Sequence, residues 1–370
     1  MPDLTRLTRF RRDLHQIPEL GDRLPLTEAY LRQALQELDC TLITGAGRSL
    51  LAFFDGGKPF ATAFRSDMDA LPVEEKNTFE YRSLHRGQMH ACGHDGHMAM
   101  GLELAYYVNE HLRELPCNVL LVFQPAEETT GGSKKICDSG VFETYQVKQI
   151  FGFHLWPWLP AHVVGARPGP LMALSSEVNI FVEGRCTHVG KSQNAPDALA
   201  AGCLLVCRTL ESLTAELTAR KAGTLKFGLF QSGTARNIIS GSTHIKGSLR
   251  LFEDKDFEPV TERLRQLAAE TEKETGCGFR VEFHPPYLPV HNNEALYRRL
   301  VSFLGPDAFL ELEEPTMIAE DFSFYQRRLP GVFFFLGTGG PELLHSDRFD
   351  FDEAVLETGV RFAEKLLHFS

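Results

Sequence analysis

Apolar residues recur at helical spacing over residues 4–16 and 26–38, and the pattern then shortens to that of strands. SLLAFFDG and PFATAFRSDMDALP read as short apolar strands, the second running out into acids, and DGHMAMGLELAYYVNEHL is helical in period. NVLLVFQPAEE and QIFGFHLWP are two further strands, one ending in carboxylates and the other near a histidine. Strand and helix in alternation, with functional groups at the strand ends, predict an α/β fold on an open, mainly parallel sheet, because ligands gather at the carboxyl ends of such strands.

The period changes near residue 174. SSEVNIFVEG alternates, PDALAAGCLLVCRTLESLTAEL is a long helix, TLKFGLFQSG and THIKGSLRLF alternate again, and a second long helix, FEPVTERLRQLAAETEKETG, precedes FRVEFHP. This β-α-β-β-α-β order predicts an inserted α+β domain over 174–284, four antiparallel strands with two helices. Residues 1–173 and 285–370 make the other domain, the second part resuming with the helix EALYRRLVSFL, the apolar strand GVFFFLG and a closing helix.

Composition changes this picture little. A chain of 370 residues with 43% hydrophobic and 24% charged residues suits two globular domains. The net charge of -11 excludes a general nucleic-acid binder, which would present a basic face. No stretch reads as the roughly 20 apolar residues of a membrane span, and the N-terminus lacks a signal's continuous apolar core, so a cytoplasmic protein without a membrane partner is expected. The eight cysteines are scattered and read as reduced, mostly buried thiols, with Cys203 and Cys207 assigned to the core by the apolar run around them.

The chemistry begins at HACGHDGH, residues 90–97. A structural zinc site usually pairs two thiolate clusters, whereas this cluster is mixed and stands alone. Cys92 and His94 can reach one site, Asp95 can orient a ligand or cap the following helix, and His97 is equally a ligand or a packed helix histidine. Glu127 and Glu128 of QPAEE are adjacent acids without a basic neighbour, an arrangement that needs a cation or a proton between them. His154 ends a strand and His345 sits in a late loop. Together these donors match a two-metal set, and their mixture of imidazole, carboxylate and one thiolate suits zinc, manganese, cobalt or nickel, with a thiolate or carboxylate shared between the ions.

RSDMDALPVEE, MHACGHDGHMA, FQPAEE, GTARNIISGSTHIKGSLR, MIAEDFSF and LHSDRFDFDE, in this order, closely resemble the M20 family of metallo-amidohydrolases and peptidases, in the branch of hippurate hydrolases, auxin-conjugate hydrolases and N-acetyldiaminopimelate deacetylases. The resemblance implies a zinc-peptidase-like catalytic domain with an inserted lid or dimerisation domain, a homodimer or higher homo-oligomer, and two bound divalent metal ions. It implies Cys92, His94, Glu128, His154 and His345 as metal ligands and Glu127 as general base. Asp67 falls where the family places an acid that orients a ligand, and His188 matches a lid histidine that polarises the scissile carbonyl, in its own chain or across a dimer. Asn237 and Arg250 match lid positions that hold the substrate carboxylate; by pattern alone they read as a turn residue and a strand arginine. Cys186, Thr187, Ile318 and Asp347 depart from residues common in the branch and bear on substrate identity. The implied activity is hydrolysis of the amide of a small N-acyl amino acid, with acetyl as first choice. The alternatives are a dipeptidase or aminopeptidase of the same fold and a non-catalytic metal-stabilised binding protein.

Overall fold

The seven residues of one strand, β3 (Ala61–Asp67), are all buried, the condition of a strand covered on both faces. In the computed structural model, which describes residues 1–129 and 131–369, β3 sits near the middle of an eight-stranded sheet. Its partners are β1 (Thr41–Thr44), β2 (Leu50–Phe54), β4 (Asn118–Gln124), β5 (Val147–Trp156), β6 (Val164–Ala166), β13 (Leu310–Glu311) and β14 (Gly331–Gly337). The order is β1-β2-β4-β3-β5-β14-β6-β13. Four pairings are parallel, β4–β3, β3–β5, β5–β14 and β6–β13, so the parallel centre carries the strand ends that matter below. The short edge strand β1 pairs antiparallel with β2 and was not anticipated, because its four residues, TLIT, carry too little pattern.

Helices pack on this sheet through small residues. α1 (Leu4–His15) is capped by Asp3, whose carboxylate accepts the N–H groups of Thr5 and Arg6, and it buries Leu7, Phe10 and Leu14. α2 (Pro25–Leu35) starts on proline. α3 (His94–His111) lies so close to the sheet that a Cβ on Gly101 would stand 2.7 Å from Ser66 Oγ and 3.0 Å from Phe123. Further along come α4 (Gly132–Asp138) and α5 (Val141–Thr144).

The chain divides into two units, Met1–Leu171 with His291–Glu314 and Asp321–Ser370, and Met172–Val290 with Pro315–Glu320. Near the crossings run two short paired strands, β7 (Gly169–Met172) and β12 (Val290–Asn292). The smaller unit holds β8 (Leu174–Glu183), β9 (Gly223–Ser232), β10 (Ser242–Leu251) and β11 (Gly278–Phe283) in the antiparallel order β11-β8-β10-β9. Leu174, Val178, Ile180 and Val182 of β8 alternate inward to form one core with α6 (Ala198–Arg208), α7 (Ala215–Ala219) and α8 (Phe257–Thr275). The larger unit resumes with α9 (Glu294–Leu304), α10 (Ser323–Gln326) and α11 (Ala354–Leu367). Pro315–Glu320 joins the smaller unit by an Ala173 N–H to Ile318 oxygen bond of 3.0 Å, a return that no pattern in the sequence marks.

Two expectations need correction here. Cys203 and Cys207 are exposed, because α6 buries Ala198, Ala201, Gly202 and Leu205 and turns the cysteines away from that stripe. The helical run Ala198–Ala219 also reaches the length and apolarity of a membrane span, with mean hydropathy 1.4. Its Leu205, Leu213 and Leu217 pack into the core of the smaller unit.

Gly101→Leu is expected to lower the unfolding free energy by roughly 1–3 kcal/mol through overpacking. Equilibrium denaturation measures this; an unchanged midpoint would mean that α3 can lift from the sheet without cost.

Candidate metal centre

Three parallel strands deliver the polar groups. β3 ends at Asp67 and runs on to Asp69, β4 ends at Gln124 and turns into Glu127 and Glu128, and β5 carries His154. The turn after β4 uses left-handed backbone at Ala126 (φ 60°), and the N–H groups that follow are caught by one side chain: Glu127 donates to Asp69 Oδ1 at 3.0 Å and Glu128 to Oδ2 at 3.1 Å. His345 also adopts positive φ, 67°, and its N–H donates to the Ala91 oxygen at 2.8 Å. Non-glycine residues in this region are strained by about 1–2 kcal/mol and collect at functional sites.

Glycine brings the fourth segment in. Gly93 at φ 83° caps α3, and a Cβ on Gly93 or Gly96 would stand 2.9 or 2.8 Å from Leu155 Cδ1. The close approach of α3 to β5 sets Cys92 Sγ 3.4 Å from His154 Nε2. The two imidazoles are oriented alike: Nδ1 of His94 meets the Asp69 main-chain oxygen at 2.7 Å, and Nδ1 of His154 meets the Leu155 oxygen at 2.7 Å. A carbonyl can only accept, so each ring donates from Nδ1 and keeps its Nε2 lone pair for the site, the arrangement of metal-bound histidines.

The donors fall into overlapping triads, each with atoms within 4.8 Å of one another: Cys92, His94 and His154; Cys92, Glu128 and His345; and His94, Glu127 and Glu128. Cys92 belongs to the first two. His94 Nε2 and Glu128 Oε1 are buried and make no hydrogen bond, although Glu128 Oε1 lies 3.9 Å from the first and 3.4 Å from His345 Nε2. Buried polar atoms left open in this way are costly, and a cation is what both lone pairs can accept.

Electrostatics agree. Burial pushes the His154 pKa down to about 3 and lowers that of His94, so both rings are neutral, as a ligand must be. Burial, followed by Glu128 and Glu127, holds the Cys92 thiol well above its usual range; a cation would have to displace that proton. Burial opposes the Glu128 charge, but His345 and His94 outweigh it and its pKa is lowered, while that of His345 is raised by Glu128.

Asp67 and His97 form a separate pair. His97 Nε2 accepts the Leu155 N–H at 2.9 Å, so Nδ1 donates to Asp67 Oδ1 at 2.5 Å and neither nitrogen is left for a metal. The other Asp67 oxygen takes Arg65 Nη1 at 2.7 Å and lies 3.5 Å from His94 Nε2. Burial works against its charge, yet Arg65 and the histidines keep its carboxyl well below the usual range. The bond that orients His94 comes from Asp69, which the motif reading passed over although RSDMDALP presents two acids on alternate residues. Burial and Glu128 hold the Asp69 carboxyl above its ordinary value while the two N–H groups pull the other way.

The chain's two tryptophans stand beside this cluster. Trp156 lies 5.9 Å from the His154 ring, stacked on Phe335 at 3.9 Å, and Trp158 is 4.7 Å further out.

The smaller unit holds the remaining residues singled out by the sequence. His188 is exposed and its Nδ1 accepts the Gly190 N–H at 3.1 Å, which leaves Nε2 as the ring's donor. The Val189 N–H donates to the Asn237 oxygen at 3.1 Å, so His188 and Asn237 lie on adjacent backbone segments. Arg250 on β10 is half-buried, bonds Ser248 Oγ at 3.2 Å and has no ion-pair partner among the described residues. It lines a groove of about 640 Å³ with Lys226 and Lys246.

The chain belongs to peptidase family M20/M25/M40, whose profile matches residues 63–368, and its family and deacetylase relatives make it an amidohydrolase. N-acetyldiaminopimelate deacetylase from Lactobacillus helveticus (strain DPC 4571) is 34% identical over 365 residues, 96% of this chain and 94% of the relative. The enzyme of the same name from Lacticaseibacillus casei (strain BL23) is also 34% identical, over 96% of this chain and 95% of its own. Among solved structures, a Bacillus subtilis protein described as a dinuclear metal binding peptidase of the M20 family superposes with TM-score 0.86 at 28% identity, over 99% of this chain and 97% of that one. The aminopeptidase PepT of Bacillus cereus, at 14% identity and TM-score 0.76 over 99% of this chain and 98% of that one, shares the fold.

Asp69→Asn replaces one acceptor by a donor facing backbone N–H groups, a loss of about 1–3 kcal/mol per unsatisfied group. Thermal unfolding should move down and amide hydrolysis should fall by at least about 10-fold, the effect of losing an orienting partner. A variant with wild-type values in both would mean that the Glu127 turn holds itself.

Proposed function

We propose that this amidohydrolase is a dinuclear metal enzyme that cleaves the amide bond of a small N-acyl amino acid, releasing a carboxylic acid and the amine. The observation that carries the reading is the pair of open buried lone pairs, His94 Nε2 and Glu128 Oε1, set around Cys92 in overlapping triads. Cys92, His94, Glu128, His154 and His345 would hold two divalent ions of zinc, manganese, cobalt or nickel, with Cys92 common to both sets. Ions held there would supply Lewis acidity for an amide carbonyl and for a water.

The chain's own groups do the rest. Glu127, nine-tenths buried and clamped at its N–H by Asp69, takes the proton of the attacking water and delivers it to the leaving amine. Asp67 acts on His94 from 3.5 Å, keeping negative charge beside the ligating nitrogen. His188 offers its Nε2–H to the developing oxyanion, a role that the neutral tautomer set by Gly190 allows. We assign the substrate carboxylate to Arg250, whose guanidinium has no ion-pair partner among the described residues, and to Asn237; because these two stand at opposite ends of β10, they would share one carboxylate only across a dimer.

The names of the 34% identical relatives support acetyl as the acyl group and N-acetyldiaminopimelate, or a related N-acyl amino acid, as substrate. We place the enzyme in the cytoplasm, as its eight free cysteines suit a reducing compartment. We also infer a homodimer, a state supported by the exposed Leu229, Phe230 and Ile238 of the smaller unit.

Protein loaded with Mn, Co, Ni or Zn should release amine from N-acetyl amino acids, and a chelator should abolish turnover. Glu127→Gln should bind cation as the wild type does, read by tryptophan emission next to His154, and lose at least about 100-fold in kcat. Full activity of that variant removes Glu127 as base. Cleavage of free-amine dipeptides in preference to N-acyl amino acids would favour the peptidase alternative, and tight cation binding without turnover the binding-protein one.

A further inference from the structure

α1 carries a charge where its apolar stripe should continue. Arg11 lies between the buried Leu7, Phe10 and Leu14, is itself fully buried, and has His15, also fully buried, one turn further on. Its guanidinium is held between two rings, 5.0 Å from Tyr81 and 4.5 Å from Phe351. Burying an arginine is costly unless the fork is answered by acceptors, and here three carboxylates answer it. Nε donates to Asp95 Oδ2 at 2.9 Å, Nη2 to Asp350 Oδ1 at 2.7 Å and Nη1 to Glu353 Oε1 at 3.3 Å.

The identity of those acids gives the arrangement its meaning. Asp95 follows His94 directly, in the first turn of α3, and Asp350 and Glu353 follow His345 on the last loop. One side chain therefore ties together the two segments that bring Cys92 and His94 to the cluster from one side and His345 from the other. His15 reinforces the first tie: its Nδ1 meets Asp95 Oδ2 at 2.8 Å and its Nε2 meets Glu75 Oε1 at 3.2 Å. Ionised carboxylates only accept, so both ring nitrogens donate and the ring is an imidazolium wedged behind Asp95. A methionine or leucine would fill the same space at no electrostatic cost, so packing alone does not explain the charge.

We infer that Arg11 is a positioning residue for the metal centre, setting the spacing between the Cys92–His94 turn and the His345 loop through Asp95 and Asp350, with His15 fixing Asp95. The inference rests on the metal reading above. None of these groups touches a donor atom; they act through the backbone segments that carry the donors.

The experiment is a Co(II) titration of cation-free protein, read by the thiolate-to-cobalt absorption band of Cys92 and by tryptophan emission. Arg11→Met, Arg11→Lys and Asp350→Asn should each weaken Co(II) binding by about 10- to 100-fold, the range for loss of groups that orient ligands. The thiolate band should shift or weaken, while far-UV circular dichroism stays that of a folded protein. Arg6→Met is the control. Arg6 is also on α1 and binds Glu103 in the interior of α3 at 2.6 and 2.7 Å, a tie beyond the first turn that carries His94 and with no link to the His345 loop, so its loss should lower the unfolding midpoint and leave the cobalt titration unchanged. If Arg11→Met yields no folded protein, Asp350→Asn decides, because its side chain is a third exposed and its substitution disturbs the bonds to Arg11 and to the Tyr81 hydroxyl while leaving the Arg11–Asp95 tie in place. Folded Asp350→Asn or Arg11→Lys protein with wild-type affinity and band overturns the inference, and so does an equal shift in Arg6→Met. Wild-type protein that binds no Co(II) overturns the metal reading itself, and this inference with it.

Discussion

Three oxygens of one residue hold one corner of the donor cluster together. Asp69 spends both carboxylate oxygens on the N–H groups of Glu127 and Glu128 and its main-chain oxygen on the His94 ring. The first two bonds fix the turn that presents the paired acids; the third decides which nitrogen of His94 faces the cluster. Because Asp69 lies directly beyond a central, fully buried strand, its position is inherited from the sheet rather than from any mobile loop. Displace it and the acids and the imidazole lose their common reference.

Around this point the interior is organised by charge in a way that its hydrophobic content alone would not require. Arg65 is buried among Asp67, Asp321 and Gln124, and Arg11 among Asp95, Asp350 and Glu353. Such clusters contribute little net stability, since desolvation consumes most of the attraction; what they provide is one geometry in place of several. The donor cluster between them is the complementary case. Its imidazoles are neutral by burial, its thiol resists ionisation, and Glu128 has His94 and His345 as its neighbours.

Much of this was legible in the residues. Strand ends at RSDMD, QPAEE and GFH appear as apolar runs breaking into polar ones, and the switch from parallel to alternating strands near residue 174 marks the smaller unit because the burial period itself changes. Cys92, His94, Glu127, Glu128, His154 and His345 stand out as chemistry-bearing residues, and the larger unit brings them together. Features fixed by three-dimensional direction were not legible. Nothing in HDGH distinguishes the open Nε2 of His94 from the occupied one of His97; the difference is a single Leu155 N–H from a neighbouring strand. The role of Asp69 depends on its main-chain oxygen, which every residue possesses. Cys203 and Cys207 were misplaced because ALAAGCLLVCRTL is apolar on more than one face, so period alone could not choose which face was buried. Arg11 reads as one more charge in FRRDLH until its three distant partners are seen.

The strand order carries a consequence for how the molecule is made. β14, residues 331–337, lies between β5 and β6, so the central sheet keeps a vacant slot until that strand has left the ribosome, well after its neighbours. Until then β5, with ten residues and Phe151, Phe153 and Leu155 on it, has a bare hydrogen-bonding edge, the kind of surface that invites pairing between nascent chains. The same segment delivers His345 and the acids that Arg11 binds, so completion of the sheet and of the donor cluster wait on one stretch of chain, and a chain cut before residue 331 would forfeit both.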